Sequence, residues 1–136
     1  MLSSFRAHSK AFGAVLLAVS AGSFAEGIDF LGKQLLGAII VGVPLGEMNL
    51  ETQCLVSYYK KKFGEGWHYG YIYPAMTRAI QASGRVIRDE SDCGIVAFLD
   101  KRYVWPTYRK CFPKDFELTE TREPGKLVEE FWNSKT

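Results

Sequence analysis

Cysteine is scarce and scattered in this chain. Its three residues, Cys54, Cys93 and Cys111, form no C-x-x-C pair. A disulfide framework is not expected in a chain long enough to bury a core. Zinc would need a fourth ligand, and His68 stands at no recognised spacing. No metal site is therefore expected, and the thiols read as reduced, as in a cytosolic protein. Charge of one sign is also lacking. The net charge is +2, too small to argue for a nucleic-acid partner by itself. No apolar run reaches the ~18 residues of a membrane span, so no membrane partner is expected. Repeats, low-complexity tracts and an interdomain linker are missing too. With 136 residues, 47% hydrophobic and 24% charged, the chain suits one ordered domain, residues 1–136.

The amino terminus admits two readings. Arg6, His8 and Lys10 precede the apolar run Ala14 to Val19, and Ser23-Phe24-Ala25 has the form of a cleavage site. That pattern resembles a secretory leader. The other reading is a buried strand followed by a functional loop, and the residues after Ala25 favour it.

Three short apolar runs are present: Ala14 to Val19, Ala38 to Val43, and Ile95 to Leu99. None alternates polar with apolar, which predicts strands buried on both faces of a parallel sheet covered by helices. Asn49 predicts the N-cap of a helix from Leu50 to about Lys62, with Glu51 in its first turn. Leu50, Cys54 and Tyr58 share one face of it, and Gly64 and Gly66 stop it. A second helix is expected from Pro74 to about Arg88. A third is expected over Lys126 to Trp132, with Leu127, Val128 and Phe131 as its buried side. The order is α/β, with too few strands for a whole doubly wound domain. Ligands of open α/β sheets lie at the carboxyl ends of strands. The segments Glu26 to Phe30, Gly42-Val43-Pro44 and Asp100-Lys101-Arg102 should therefore converge on one edge.

Chemistry concentrates in the second helix. Arg78, Gln81, Arg85 and Arg88 are spaced 3, 4 and 3 apart, one stripe on a helix. Met76, Ile80, Ser83 and Ile87 form the opposite stripe, and Gly84 beside it would permit a close backbone contact. A basic helical face is ordinarily just solvated. Here no carboxylate is interleaved, and Gln81 sits among the arginines. Three guanidiniums on one stripe repel each other. A polyanion would relieve that repulsion, and the guanidinium fork suits phosphate.

Gln81-Ala82-Ser83-Gly84-Arg85-Val86-Ile87-Arg88 resembles motif VI of superfamily 2 helicases, in the Q-x-x-G-R-x-I-R form of the XPD/DinG branch. Asp92-x-Gly94 followed by Asp100-Lys101-Arg102-Tyr103 matches that branch. Ser23-Phe24-Ala25-Glu26-Gly27-Ile28-Asp29-Phe30 resembles its motif V, and Gly42-Val43-Pro44 also matches. Motif V spans about 20–30 and motif VI about 78–88, and the resemblance covers about residues 14 to 132. Many relatives carry Ser where this chain has Ala25, which receives no role.

The resemblance implies a partial RecA-like domain, the carboxyl-terminal portion of the second motor domain of an ATP-dependent DNA helicase. Such proteins bind ATP with Mg between two motor domains. The first holds the Walker A loop, the acidic metal-binding motif and an iron–sulphur cluster. This sequence has no G-x-x-x-x-G-K-[ST] and no Asp-Glu-Ala-His-type box, and its three cysteines cannot supply a four-cysteine cluster. It is expected to be inactive alone and to act with an amino-terminal helicase half on single-stranded or forked DNA. The alternative is a truncated binding module without ATP turnover. By resemblance, Arg85 and Arg88 are arginine-finger residues, Gln81 positions the attacking water or a phosphate oxygen, and Glu26, Gly27 and Asp29 couple ATP to DNA. Gly84, Asp100 and Arg102 support them. Asp29 also reads as a loop or cap residue, and Asp100 with Arg102 as a structural ion pair. Gly22 to Phe24 could bring backbone amides to a phosphate. Lys60 to Lys62 read either as a solvated helix end or as a contact to a strand backbone. Trp67, Tyr69, Tyr71 and Tyr73 read as packing or as a base-stacking surface. DNA repair in the cytoplasm, on the nucleoid, follows from the same resemblance. An unpaired sheet edge predicts self-association.

Overall fold

A computed structural model describes residues 2–19, 35–87 and 92–135. Helix α1 (Leu2–Ala11) opens the chain. Strand β1 (Gly37–Val41), helix α2 (Leu50–Phe63), a π-helical turn (His68–Ile72) and helix α3 (Tyr73–Ser83) follow. Strand β2 (Ile95–Leu99), a 3-10 turn (Lys101–Val104) and the short helix α4 (Pro106–Arg109) come next, then helix α5 (Pro124–Asn133). The protein is α/β: β1 and β2 form a parallel pair flanked by helices, with Gly37 beside Ile95 and Val41 beside Leu99. A parallel pair needs a long crossover, and α2, the π turn and α3 supply it.

Local chemistry explains the crossover's ends. The Asn49 side chain accepts a hydrogen bond from the Thr52 backbone N–H at 2.9 Å, satisfying a donor that the first helical turn leaves free. Gly64 closes α2 in the left-handed region, φ 80°, where its N–H donates to the Lys60 carbonyl. Between the two helices the chain takes a wider turn, in which the Tyr73 N–H donates to the His68 carbonyl. That turn seats Gly70 against the α2 backbone: a Cβ on Gly70 would lie 2.8 Å from the Val56 nitrogen. Gly66 meets the Val56 carbonyl in the same way.

The core lies between one sheet face and α3. Ile40 and Val43 meet Ile72, Ala75, Met76 and Ala79, and Tyr103 and Tyr108 close it from the carboxyl side. Val96 and Phe98 pack on the same cluster from β2. Alternation along β1 leaves its other face exposed, Ile39 by 68% and Val41 by 78%, while Ile95 and Ala97 of β2 are half-buried. Burial on both faces, expected from the continuous apolar runs, does not hold among the described residues. Side chains of a strand point alternately to opposite faces, and α3 covers only one of them.

Three further expectations need correction. Ala14 to Val19 forms no strand, and Val15 and Leu17 are each 87% exposed. An apolar run becomes a strand only when a neighbour takes its backbone hydrogen bonds, and among the described residues it pairs with neither β1 nor β2. Helix α3 ends at Ser83, short of Arg88. The Ser83 hydroxyl donates to the Ile80 carbonyl at 2.7 Å, the Gly84 N–H donates to the same carbonyl, and the Val86 N–H turns back to the Ser83 carbonyl. Ser and Gly are weak helix interiors for these reasons. Helix α5 forms where expected, but none of its residues is buried, so Leu127, Val128 and Phe131 do not make a buried side.

Candidate functional site

The carboxyl ends of the strands do converge, as expected, for the two segments that fall within the described residues. The Gly42 N–H donates to the Leu99 carbonyl at 3.1 Å, extending the ladder past β1. Gly42 then turns with φ 75°, which favours glycine. Tyr103, 4% exposed, donates its hydroxyl to the Gly42 carbonyl at 2.7 Å. That bond ties the turn after β2 to the turn after β1. Burial, with the Asp100 charge adding to it, pushes the Tyr103 hydroxyl up to about 12.

Asp100 caps the 3-10 turn. Its Oδ1 accepts from the Arg102 backbone N–H at 2.8 Å and from Arg102 Nε at 2.9 Å, while Oδ2 accepts from Arg102 Nη2 at 2.7 Å. This is the two-pronged guanidinium–carboxylate geometry. The Arg102 side-chain hydrogen bonds hold the Asp100 carboxyl down at about 2, and the Val43 backbone N–H helps. The same bonds raise Arg102 above its ordinary range. Of the two readings of this pair, the structural one describes the contacts made here.

The motif around Arg85 lies at the other end of the sheet. Val86 is buried against Gly94, where a Cβ would collide with it and would sit 2.9 Å from the Leu36 carbonyl. Gly94 and Leu36 immediately precede β2 and β1, so this is the amino edge. A five-residue strand spans ~16 Å. The backbone at Arg85 is thus about that far from Asp100 and Arg102, and the structure does not bring the two groups together. Arg85 lies in the turn beyond α3, half-buried, with its Nε buried. It therefore leaves the helical stripe on which the spacing placed it.

Gln81, in the last turn of α3, faces solvent. Arg78, half-buried, donates from Nε to the Pro74 carbonyl at 3.3 Å and sits beside Gly46. Gly84 makes no close approach, because a Cβ there would meet only helix carbonyls at 3.6 Å and beyond. The close approaches belong to Gly66, Gly70 and Gly94. Glu26, Gly27, Asp29 and Arg88 lie outside the described residues, as do Gly22 to Phe24.

Sequence reasoning gave Tyr103 no role beyond its place in a matched string, and it read Tyr71 only as a packing or stacking ring, without a task for its hydroxyl. The Tyr71 hydroxyl donates to the Gly46 carbonyl at 3.0 Å, tying the crossover to the loop after β1. A tyrosine hydroxyl that must find a partner when buried was the available signal. Among the described residues no three His, Cys, Asp or Glu gather as a metal site. The three thiols are free and apart, and such a donor set does not fit an iron–sulphur cluster. Burial raises Cys111 above its usual range.

Comparison with known proteins defines the class. Residues 1–119 match the helicase C-terminal domain family, and the chain belongs to it. The relatives place it in the XPD/DinG type of superfamily 2. Over 94 residues it is 38% identical to the XPD helicase subunit of the general transcription and DNA repair factor IIH of Dictyostelium discoideum, covering 67% of this chain and 12% of that protein. It is 31% identical over 155 aligned positions to a regulator of telomere elongation helicase 1 homolog of Caenorhabditis elegans, covering 94% and 15%. A third relative, the 3'-5' exonuclease DinG of Staphylococcus saprophyticus, is 32% identical over 98 residues, covering 71% and 10%. The chain thus spans between a tenth and about a sixth of the length of these relatives. The sheet, the crossover and the family together make the fold RecA-like.

Proposed function

We propose that this chain supplies the arginine-bearing wall of an ATP cleft in a DNA helicase, together with part of the track for single-stranded DNA. The observation that carries this reading is the position of Arg85 in a helicase C-terminal domain. It stands in a tight turn next to Val86, which packs on Gly94 at the amino edge, and its Nε is buried. An arginine so anchored presents its terminal nitrogens in a fixed direction, as stabilisation of a transferring phosphoryl group requires. Solvent-facing Gln81, one helical turn earlier, is free to reach a water or a phosphate oxygen. Arg88, and Glu26, Gly27 and Asp29 on the DNA side, complete the assignment by family resemblance.

Mg–ATP would be held mainly by a Walker A-bearing partner domain, which supplies the nucleotide's reactive phosphate. The residues of this chain fit the remaining task of donating hydrogen bonds to γ-phosphate oxygens. Asp100 and Arg102 contribute at the other edge, by fixing the turn that follows β2.

The test is ATP turnover by this chain reconstituted with a Walker A-bearing helicase half, in the presence of single-stranded DNA. Arg85→Ala and Arg88→Ala should each lower kcat by about 10³, the scale of arginine-finger removal in related phosphoryl transfer. Lysine should not restore it, because it lacks the planar fork. Unchanged turnover in Arg88→Ala would refute the finger assignment. DNA binding without turnover in any reconstituted pair would leave the chain a binding module.

A further inference from the structure

Helix α2 meets the π turn through one side, where Val56 lies against Gly66 and Gly70. No residue of the helix is buried. Its opposite side carries an apolar row. Leu50, Cys54 and Tyr58 recur every four residues, which aligns them along one face. Leu50 is 76% exposed and Tyr58 53%, with exposed Cys54 between them. At 3.6 residues per turn, Cys54 stands about 160° round the helix from Val56. A groove of about 440 Å³ follows the row, between Leu50, Gln53, Cys54, Ser57, Tyr58 and Lys61. Four of these, Cys54, Ser57, Tyr58 and Lys61, stand at i, i+3, i+4 and i+7. That is the four-residue hole one helix offers to a knob from another.

The order of charges along α2 selects the occupant. Glu51 lies in the first turn, and Lys60, Lys61 and Lys62 lie in the last. A helix of the same order, running antiparallel, sets acid beside base at both ends and lays the two helix dipoles favourably head to tail. We propose that the outer face of α2 is a contact between two copies of this chain, paired antiparallel about a twofold axis at Cys54. The register then follows from the rise of 1.5 Å per residue. Leu50 of the second copy falls level with Tyr58, about 6 Å along the helix from Cys54, and the centre of the hole lies about 5 Å along it. Leu50 is therefore the knob. Glu51 of the second copy falls on the Tyr58 flank, one position from that residue. The Lys62 ammonium is already turned back to that place, donating to the Tyr58 hydroxyl at 3.3 Å. At the axis Cys54 faces its own copy. Packed helix axes stand about 8–10 Å apart, and each Cα lies about 2.3 Å off its axis. The two Cys54 Cα atoms are then about 4–5 Å apart, close enough for a disulfide. A single helix pair is a small interface, so the dimer is reversible and forms only at high concentration. It uses none of the residues assigned to the ATP cleft and does not depend on that reading.

The test is sedimentation equilibrium of the whole chain in reducing buffer, from micromolar to near-millimolar concentration. The mass should rise from the 15.3 kDa of one chain towards twice that value. Leu50→Glu with Tyr58→Glu should raise the dissociation constant about tenfold or more, the scale of losing a central anchor. Both positions are exposed, so the variant should keep the parent melting curve. Glu51→Lys and Lys62→Glu should each weaken pairing several-fold, and the two together in one chain should restore it. Mild oxidation of the unmodified chain with diamide should give a disulfide-linked dimer, lost in Cys54→Ser and kept in Cys93→Ser.

A single-chain mass at every concentration overturns the proposal, and so does a dimer that oxidation fails to link through Cys54. If the double charge exchange pairs no better than either single change, the antiparallel register is wrong and the proposal fails with it. A dimer that survives the α2 variants and is lost in Ile39→Lys with Val41→Lys would place the contact on the exposed face of β1 instead.

Discussion

Alanine at Gly70 would place its Cβ 2.8 Å from the Val56 backbone nitrogen and 2.9 Å from the Val56 Cα. Carbon atoms in favourable contact stand about 3.5–4.0 Å apart, so the new methyl intrudes by more than half an ångström. The obstacle is backbone, which no rotamer change relieves, and α2 has to move away from the π turn. Overpacking of this kind costs about 1–3 kcal/mol. Against it stands the better helical propensity of alanine, at most about 1 kcal/mol. A net loss of about 1–2 kcal/mol remains, which for a chain of this length lowers Tm by roughly 4–8 °C. Thermal melts followed by far-ultraviolet circular dichroism would measure it. Gly125→Ala is the control, because nothing lies within 4 Å of a Cβ there and α5 should gain a few tenths of a kcal/mol or more. A Gly70→Ala protein that melts at or above the parent temperature would refute the close-packing argument for the α2–π-turn contact.

Two other perturbations read the carboxyl edge. Tyr103→Phe removes the bond to the Gly42 carbonyl and leaves that acceptor without its donor. We expect a loss of about 1–2 kcal/mol in urea unfolding, and a change within error would mean that water or another donor replaces the hydroxyl. Asp100→Asn tests linkage. The folded-state pKa of Asp100 lies below its ordinary value of 3.8, at about 2. Its stabilisation is therefore fully present above about pH 4 and is lost as pH falls through 2. Partial solvation of the pair limits the effect to roughly 1–2 kcal/mol. The parent should lose more stability than the Asn variant between pH 4 and 2, and parallel pH profiles would contradict the assigned cause.

What the sequence made legible was local. The bounds of β2, the Asn49 cap and the Gly64 stop depend on neighbouring residues, and all appear where the residue types placed them. Gly66 and Gly70 show the limit. Gly66 read only as a helix stop, and Gly70 lies inside the aromatic segment Trp67 to Tyr73. Their shared task, admitting the Val56 backbone, depends on two helices meeting. The same holds for Ala14 to Val19 and for α5. An apolar run or an amphipathic helix declares that it has a face to bury, not what buries it. Arg85 was misplaced for a subtler reason. A spacing of 3 and 4 assumes that the helix continues, and Ser83 with Gly84 ends it through hydrogen bonds that a periodicity count does not weigh. The motif string identified the family while its helical geometry stopped short of Arg85.

The register of the sheet also bears on how the chain reaches this state. With Gly37 beside Ile95, no ladder hydrogen bond can form until the entire crossover has been closed into a loop, whereas α2, the π turn and α3 touch near neighbours. Contacts distant along the chain are slow to form, so the helical crossover should gather first and the strands zip last. Pulsed hydrogen exchange during refolding would then protect the amides of α3 before those of β1. Interactions formed after the rate-limiting step act mainly on unfolding, which makes the Tyr103–Gly42 bond a latch on the lifetime of the folded chain more than on the speed with which it folds.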